Sequence, residues 1–244
     1  MRTSSPGKKR RAFTRGALIA AALAALAAAG ALRLYPFLAC ERPAQDAEIL
    51  VIEGWLSDHA LDRAVDVWRE GGYDRIVTAG GPHRYGSSLM PWPTYAQATR
   101  ARLIERGVPA SRILAAPARK VRRNRTYAAA CRVGETLAGL CPAGAAVDVL
   151  SVGAHARRSR YLYRLALADR HPVGVRSIVP EAYEPARWHT CSEGVREVIG
   201  EMLAYGYARL FFRPPAACRE GLAEAPAAGT DTAQTGGGVP HGER

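Results

Sequence analysis

The stretch Glu48–Gly54, EILVIEG, decides the fold. Four consecutive branched or aliphatic residues between two glutamates, closed by glycine, predict a short strand buried on both faces. Ser57 and Asp58 then offer a helix cap, and a helix from about Asp58 to Glu70 ends at Gly71-Gly72. The same alternation recurs along the chain. Arg75–Ala79 predicts a second strand, and Thr94 starts a helix that stops at Gly107-Val108-Pro109. Arg112–Ala116 predicts a third strand, and Asn124 or Thr126 starts a helix reaching about Leu140. Val147–Val152 predicts a fourth strand, followed by a helix from about His155 to Ala168. Val173–Val179 predicts a fifth strand, and a last helix runs from about Ser192 to Phe212. Strands alternating with helices mean right-handed crossovers and a parallel sheet covered on both sides. The expected fold is a single Rossmann-like, three-layer α/β domain over residues 44–213, with a mostly parallel sheet of about five strands.

The ends of the chain differ from this body. Residues 1–15 carry six basic residues and no acid, and are expected to form a cytoplasmic tail. Gly16–Leu32, GALIAAALAALAAAGAL, has no charged or polar side chain. With Arg33 snorkelling beside Tyr35, residues 16–39 are expected to form one transmembrane helix or a signal segment. A lipoprotein-type site at Cys40 ranks lower, and a buried helix of the domain is the bland alternative. The flanking charge places the N-terminus in the cytoplasm and the α/β domain outside the inner membrane. Residues 214–244 are Ala/Gly/Pro-rich and are expected to be a disordered tail.

The chain has 244 residues and a formal net charge of +12, of which half sits in the first 15 residues. Residues 119–132 hold six basic residues and no acid. A nucleic-acid module needs aromatic interleaving, and only Tyr127 is nearby, so a polyanionic, phosphate-bearing small molecule or anionic lipid headgroups make the better partner. Five cysteines show no metal spacing, and no disulfide is assigned. Neither Gly-x-Gly-x-x-Gly, a P-loop nor Gly-x-Ser-x-Gly occurs, and no cofactor or metal is expected.

Ligands of parallel sheets bind beyond the carboxyl ends of the strands, and the unusual residues collect there. The candidates for ligand binding are Gly54, Gly80, Gly81, Arg125, Thr126, Arg157 and Glu193. His155 and Arg158 share a face at the start of a helix, where anions are favoured, and are the candidates for chemistry: His155 as acid or base, Arg158 as charge stabiliser. Glu197 and Glu201 follow Glu193 at helical spacing and are expected to form a solvated stripe or surface ion pairs.

These motifs together resemble the ElyC/SanA/YdcF family, also called domain of unknown function 218. The resemblance covers about Asp46 to Phe212. It rests on Ile49–Trp55, Thr78–Gly81, Arg106–Pro109, Arg125-Thr126-Tyr127, Gly153–Arg160, Trp188 and Ser192–Glu197. It implies a membrane-anchored envelope protein linked to peptidoglycan and polyprenyl-phosphate-dependent glycan metabolism, with a phosphate-bearing small molecule or a lipid-linked glycan as its partner. Two departures stand out. Thr94-Tyr95-Ala96-Gln97 lacks the family's carboxylate after the Gly-Gly turn, and Arg125–Ala129 lacks its Glu-Asn. A non-catalytic binding or scaffold protein is therefore the rival expectation.

Overall fold

The computed structural model describes residues 29–83, 90–167 and 170–215, together with residues 18, 20–23 and 25. The basic tail 1–15 and residues 216–244 lie outside the described residues. Five strands, β1 (Ile49–Glu53), β2 (Arg75–Gly80), β3 (Ile113–Pro117), β4 (Val147–Val152) and β5 (Val173–Ile178), form one sheet in the order β3-β2-β1-β4-β5. All four pairings are parallel, so the mostly parallel sheet expected from the sequence is wholly parallel.

Helices α2 (Asp58–Gly71) and α3 (Tyr95–Glu105) cover one face, and α4 (Arg125–Ala138) and α5 (Ala156–Leu167) the other. β1 supplies both layers by alternation. Leu50 and Ile52 join Leu61, Val65 and Leu103, whereas Ile49 and Val51 join Val133, Leu137 and Leu162. All five β1 residues are buried, and each large aliphatic contributes roughly 1.5–3 kcal/mol. The helix limits follow local chemistry. Ser57 Oγ accepts from Ala60 N–H at the start of α2, and Gly72 ends it at φ 67°, a left-handed conformation natural to glycine.

Before β1, residues 29–38 form a helix, α1. Tyr35 and Leu38 are buried with Tyr183, Trp188 and Val198. The last turn of α1 is thus part of the globular body, ahead of the expected boundary at residue 44. Among the described residues no helix is long and apolar enough to cross a membrane; much of Gly16–Leu32 lies outside them. The long α6 (Ser192–Leu210) closes the molecule against α5. The sequence assigns no disulfide and leaves the cysteine pairing open; Cys131 is disulfide-bonded, while Cys40, Cys141 and Cys191 are free thiols. The Cys131–Cys141 pair, ten residues apart across one helix, is indeed not joined.

Candidate functional site

The sheet order reverses between β1 and β4. One crossover series runs outward through β2 and β3, the other through β5. Such a switch point opens a crevice at the carboxyl ends of its two strands. Here it holds Glu53, the last residue of β1, and Ser151 near the end of β4.

Glu53 is only 4% exposed. Ser151 Oγ donates to its Oε2 at 2.6 Å and Ser159 Oγ to its Oε1 at 2.9 Å. His155 Nε2 stands 3.7 Å from Oε1, an ion-pair distance rather than a hydrogen bond. On the other side of the ring, His155 Nδ1 lies 2.8 Å from Glu201 Oε1. A carboxylate only accepts, so Nδ1 carries the proton and donates. Arg158 grips the same carboxylate with two prongs, Nε to Oε2 at 2.7 Å and Nη2 to Oε1 at 2.9 Å. The 2.9 Å approach of Arg158 Nη2 to His155 Nδ1 joins two donors. It reflects their common hold on Glu201.

The charges follow from this arrangement. Burial alone lowers the His155 pKa, but Glu53 and Glu201 outweigh it and raise the pKa to about 9. The imidazole is therefore cationic at neutral pH. Burial pushes the carboxyl of Glu201 up, yet Arg158 and His155 bring it down to about 2. Burial acts upward on Glu53 too, and the charge of His155 with the hydrogen bonds to it leaves Glu53 below its ordinary value. Glu197 behaves oppositely. Burial and the charge of Glu201 raise its pKa, although Tyr183 donates to Oε1 at 2.9 Å. Trp55 closes the ring's surroundings, edge-on at 5.0 Å.

Local backbone places these groups. Gly153 takes φ 51° and turns β4 into a 3-10 turn, Gly153–His155, that leads directly into α5. A Cβ there would stand 3.1 Å from Glu197 Oε1 and 3.3 Å from the Tyr183 hydroxyl. His155 and Arg158, one helical turn apart, then point at Glu201 of α6.

The network forms one wall of a cleft of about 890 Å³. Opposite it stand Gly80, Gly81 and the loop into α4, with Arg119, Lys120, Asn124, Arg125 and Thr126. Asn124 adopts φ 55°, and no side-chain cap covers the first turn of α4. A helix start without a cap attracts anions through its amides and dipole. Arg119, Lys120 and Arg125 are exposed and make no ion pair among the described residues. The mouth therefore has three uncompensated positive charges, whereas the deeper cations are paired. Tyr163, fully buried on the cleft wall, has a hydroxyl without a hydrogen-bond partner.

Of the residues singled out from sequence, Gly80, Gly81, Arg125, Thr126, His155 and Arg158 line one cleft. Gly54, Arg157 and Glu193 do not. Gly54 serves close packing, since a Cβ would sit 2.8 Å from Ala79 O. Gly80 similarly makes room for Tyr95, whose Cβ would be 2.8 Å from an added Cβ; Gly81 has no contact that tight. Arg157 turns to α1, donating to the Phe37 carbonyl and stacking 3.9 Å from its ring. Glu193 is exposed and bonded to Ser192 Oγ. Of the solvated stripe or surface ion pairs expected for Glu197 and Glu201, Glu201 does form an ion pair, with Arg158, but within the cleft, which Glu197 also lines.

Sequence reasoning passed over Glu53 and Tyr163 as site residues. A carboxylate ending an otherwise apolar strand was the available signal for Glu53. Tyr163 gave none, since aromatic residues commonly fill cores. No protein-family model matches the chain, and no curated protein matches it. Fold and site define a doubly wound, Rossmann-like α/β domain with a charged cleft at its switch point.

Proposed function

We propose that the cleft binds a phosphate-bearing ligand and that the chain is a membrane-anchored envelope protein. Its resemblance to the ElyC/SanA/YdcF family suggests a place in envelope glycan or polyprenyl-phosphate carrier metabolism. One observation carries the binding part. Three unpaired cations and the uncapped start of α4 converge on a single 890 Å³ cleft at the switch point. Phosphate oxygens match both features, because arginine offers paired donors and a helix start offers backbone amides.

In this reading His155 is the proton donor. Its charge is held by Glu53 and Glu201, so it acts as an acid or a fixed positive charge, not as a base at neutral pH. Arg158 is committed to Glu201. It is a positioning residue for His155, and the mouth cations take over the anion-binding role expected of it. A second reading, a binding protein without chemistry, is favoured by one specific observation. Glu53 and Glu201 are both already engaged, Ser151 at the crevice gives its hydroxyl to Glu53, and no Ser or Cys is among the described residues that line the cleft.

Titration calorimetry of the full-length protein with inorganic pyrophosphate tests the binding claim. Saturable binding is expected, weakened at least tenfold by Arg125→Glu. Heats that never saturate would refute it. Binding retained in His155→Gln with no turnover of any bound phosphoester would favour the second reading.

A further inference from the structure

The chain approaches the domain from the edge that carries the cleft. Tyr35 packs edge-on against Tyr183, beyond the end of β5, at 6.0 Å. Arg42 then bridges Val175 antiparallel in the middle of β5. Ala44 N–H next reaches Asp148, near the start of β4, at 2.8 Å. Between residues 35 and 44 the backbone thus runs from the carboxyl edge of the sheet to its amino edge.

Two exposed features meet at that cleft. The first is a stripe on the last turns of α6 and just beyond: Leu203 (64% exposed), Tyr207 (52%), Leu210 (75%) and Phe211 (70%). Their spacing of four, seven and eight residues puts them on one helical face. The second is the loop 119–125, where Arg119, Lys120, Arg122, Arg123 and Arg125 are all exposed and without an ion pair among the described residues. Tyr207 of the stripe and Lys120 of the loop both line the cleft.

A cationic loop beside an apolar, aromatic helical face is suited to a bilayer with anionic headgroups. The cations meet the headgroups, and the apolar side chains enter the boundary with the acyl chains. Burying the stripe under a protein partner would use the apolar groups but leave five like charges uncompensated. The sequence agrees, since the uncharged run Gly16–Leu32 precedes α1 on the same chain. We propose that the loop 119–125 and the α6 stripe dock on an anionic lipid bilayer, so that the cleft opens at the membrane surface. This rests on the anchoring put forward above, and it is separable from the phosphate-binding claim.

Hydrogen exchange of the full-length protein in phosphatidylcholine vesicles, with and without phosphatidylglycerol, tests it. Slower exchange over 119–125 and 203–212 is expected only in the anionic vesicles. Each cation near such a surface favours docking about fivefold, so Arg122→Gln/Arg123→Gln lowers the docked-to-free ratio about thirtyfold and restores the faster exchange. Neither arginine lines the cleft, so pyrophosphate binding in detergent is retained in that variant. Equal exchange in both vesicles overturns the proposal, as does a chain that floats with neither. Slowing that follows protein concentration in detergent assigns the stripe to a second copy of the chain and overturns it too. If docking fails while pyrophosphate binds in detergent, the cleft assignment stands without it. If docking is seen while pyrophosphate never binds, the reverse holds.

Discussion

Replacing His155 by glutamine removes the one cation between Glu53 and Glu201. The two carboxylates are affected unequally. Glu201 keeps both prongs of Arg158. Glu53, 4% exposed, keeps only the hydroxyls of Ser151 and Ser159. Losing one partner of a buried ion pair costs about 3–5 kcal/mol. The pH dependence makes the prediction specific. In the wild type, His155 has its pKa raised from 6.5 to about 9. A group raised on folding stabilises fully below its unfolded value and loses that contribution as pH rises through its folded value. Wild-type stability should thus be flat near pH 6 and fall by about 1.4 kcal/mol per pH unit between 6.5 and about 9. In His155→Gln the unpaired, buried Glu53 has its pKa raised instead, so the variant loses stability in a more acidic window, above the ordinary value of 4.5. The deficit should then be largest near pH 6–7 and shrink on both sides. Urea unfolding of the full-length protein in mild detergent, followed by tryptophan fluorescence, reads this directly because Trp55 abuts His155. A wild-type curve flat from pH 6.5 to 9, or a deficit independent of pH, would refute the charge assignment.

Three further outcomes are expected. Gly153→Ala must hold a left-handed φ and press on Glu197 and Tyr183; a loss of about 1–2 kcal/mol in urea midpoint stability should result, with an altered fluorescence response to pyrophosphate. Gly174→Ala would place a Cβ 2.0 Å from Asp148 Oδ1 and 2.1 Å from Ala44 N; we expect a collapse of soluble yield, and normal yield with an unchanged melting curve would contradict the packing. Asp148→Ala strips the Tyr73 hydroxyl and the Ala44 amide of their acceptor; thermal unfolding should show a loss of about 2–6 kcal/mol, at roughly 1–3 kcal/mol for each stranded buried donor.

The strands were legible because burial on both faces leaves a plain mark: an uninterrupted aliphatic run such as Ile49–Ile52 can only be interior, and in β4 only Asp148 breaks the pattern. β4 falls on the expected residues, and the other strands within a residue or so. The switch point was not legible, since strand order depends on which crossover packs where. Without it, Glu53 read as the end of a strand and not as the floor of a cleft. The α6 glutamates show the same limit from the other side. Their spacing of four placed them on one helical face, but nothing local told which way that face turns. Glu201 turns inward because His155 and Arg158 await it, and Glu193, two turns earlier, stays in water. Conversely, Gly54 and Gly80 look like ligand loops in sequence, yet their missing Cβ atoms make room for Tyr95.

The junction between α1 and the domain has a mechanical consequence. Residues 40–44 lie beside β5, with Arg42 and Val175 exchanging both backbone hydrogen bonds and Ala44 held by Asp148. Tension on the N-terminal segment pulls this strip along its own length, toward the carboxyl edge of the sheet. The bonds are then loaded together in shear instead of being peeled one after another. Such a pull is met first where α1 packs on Tyr183 and Trp188, and then by the strip held on β5 and on Asp148 of β4, so it is shared between the two fastenings instead of falling on one.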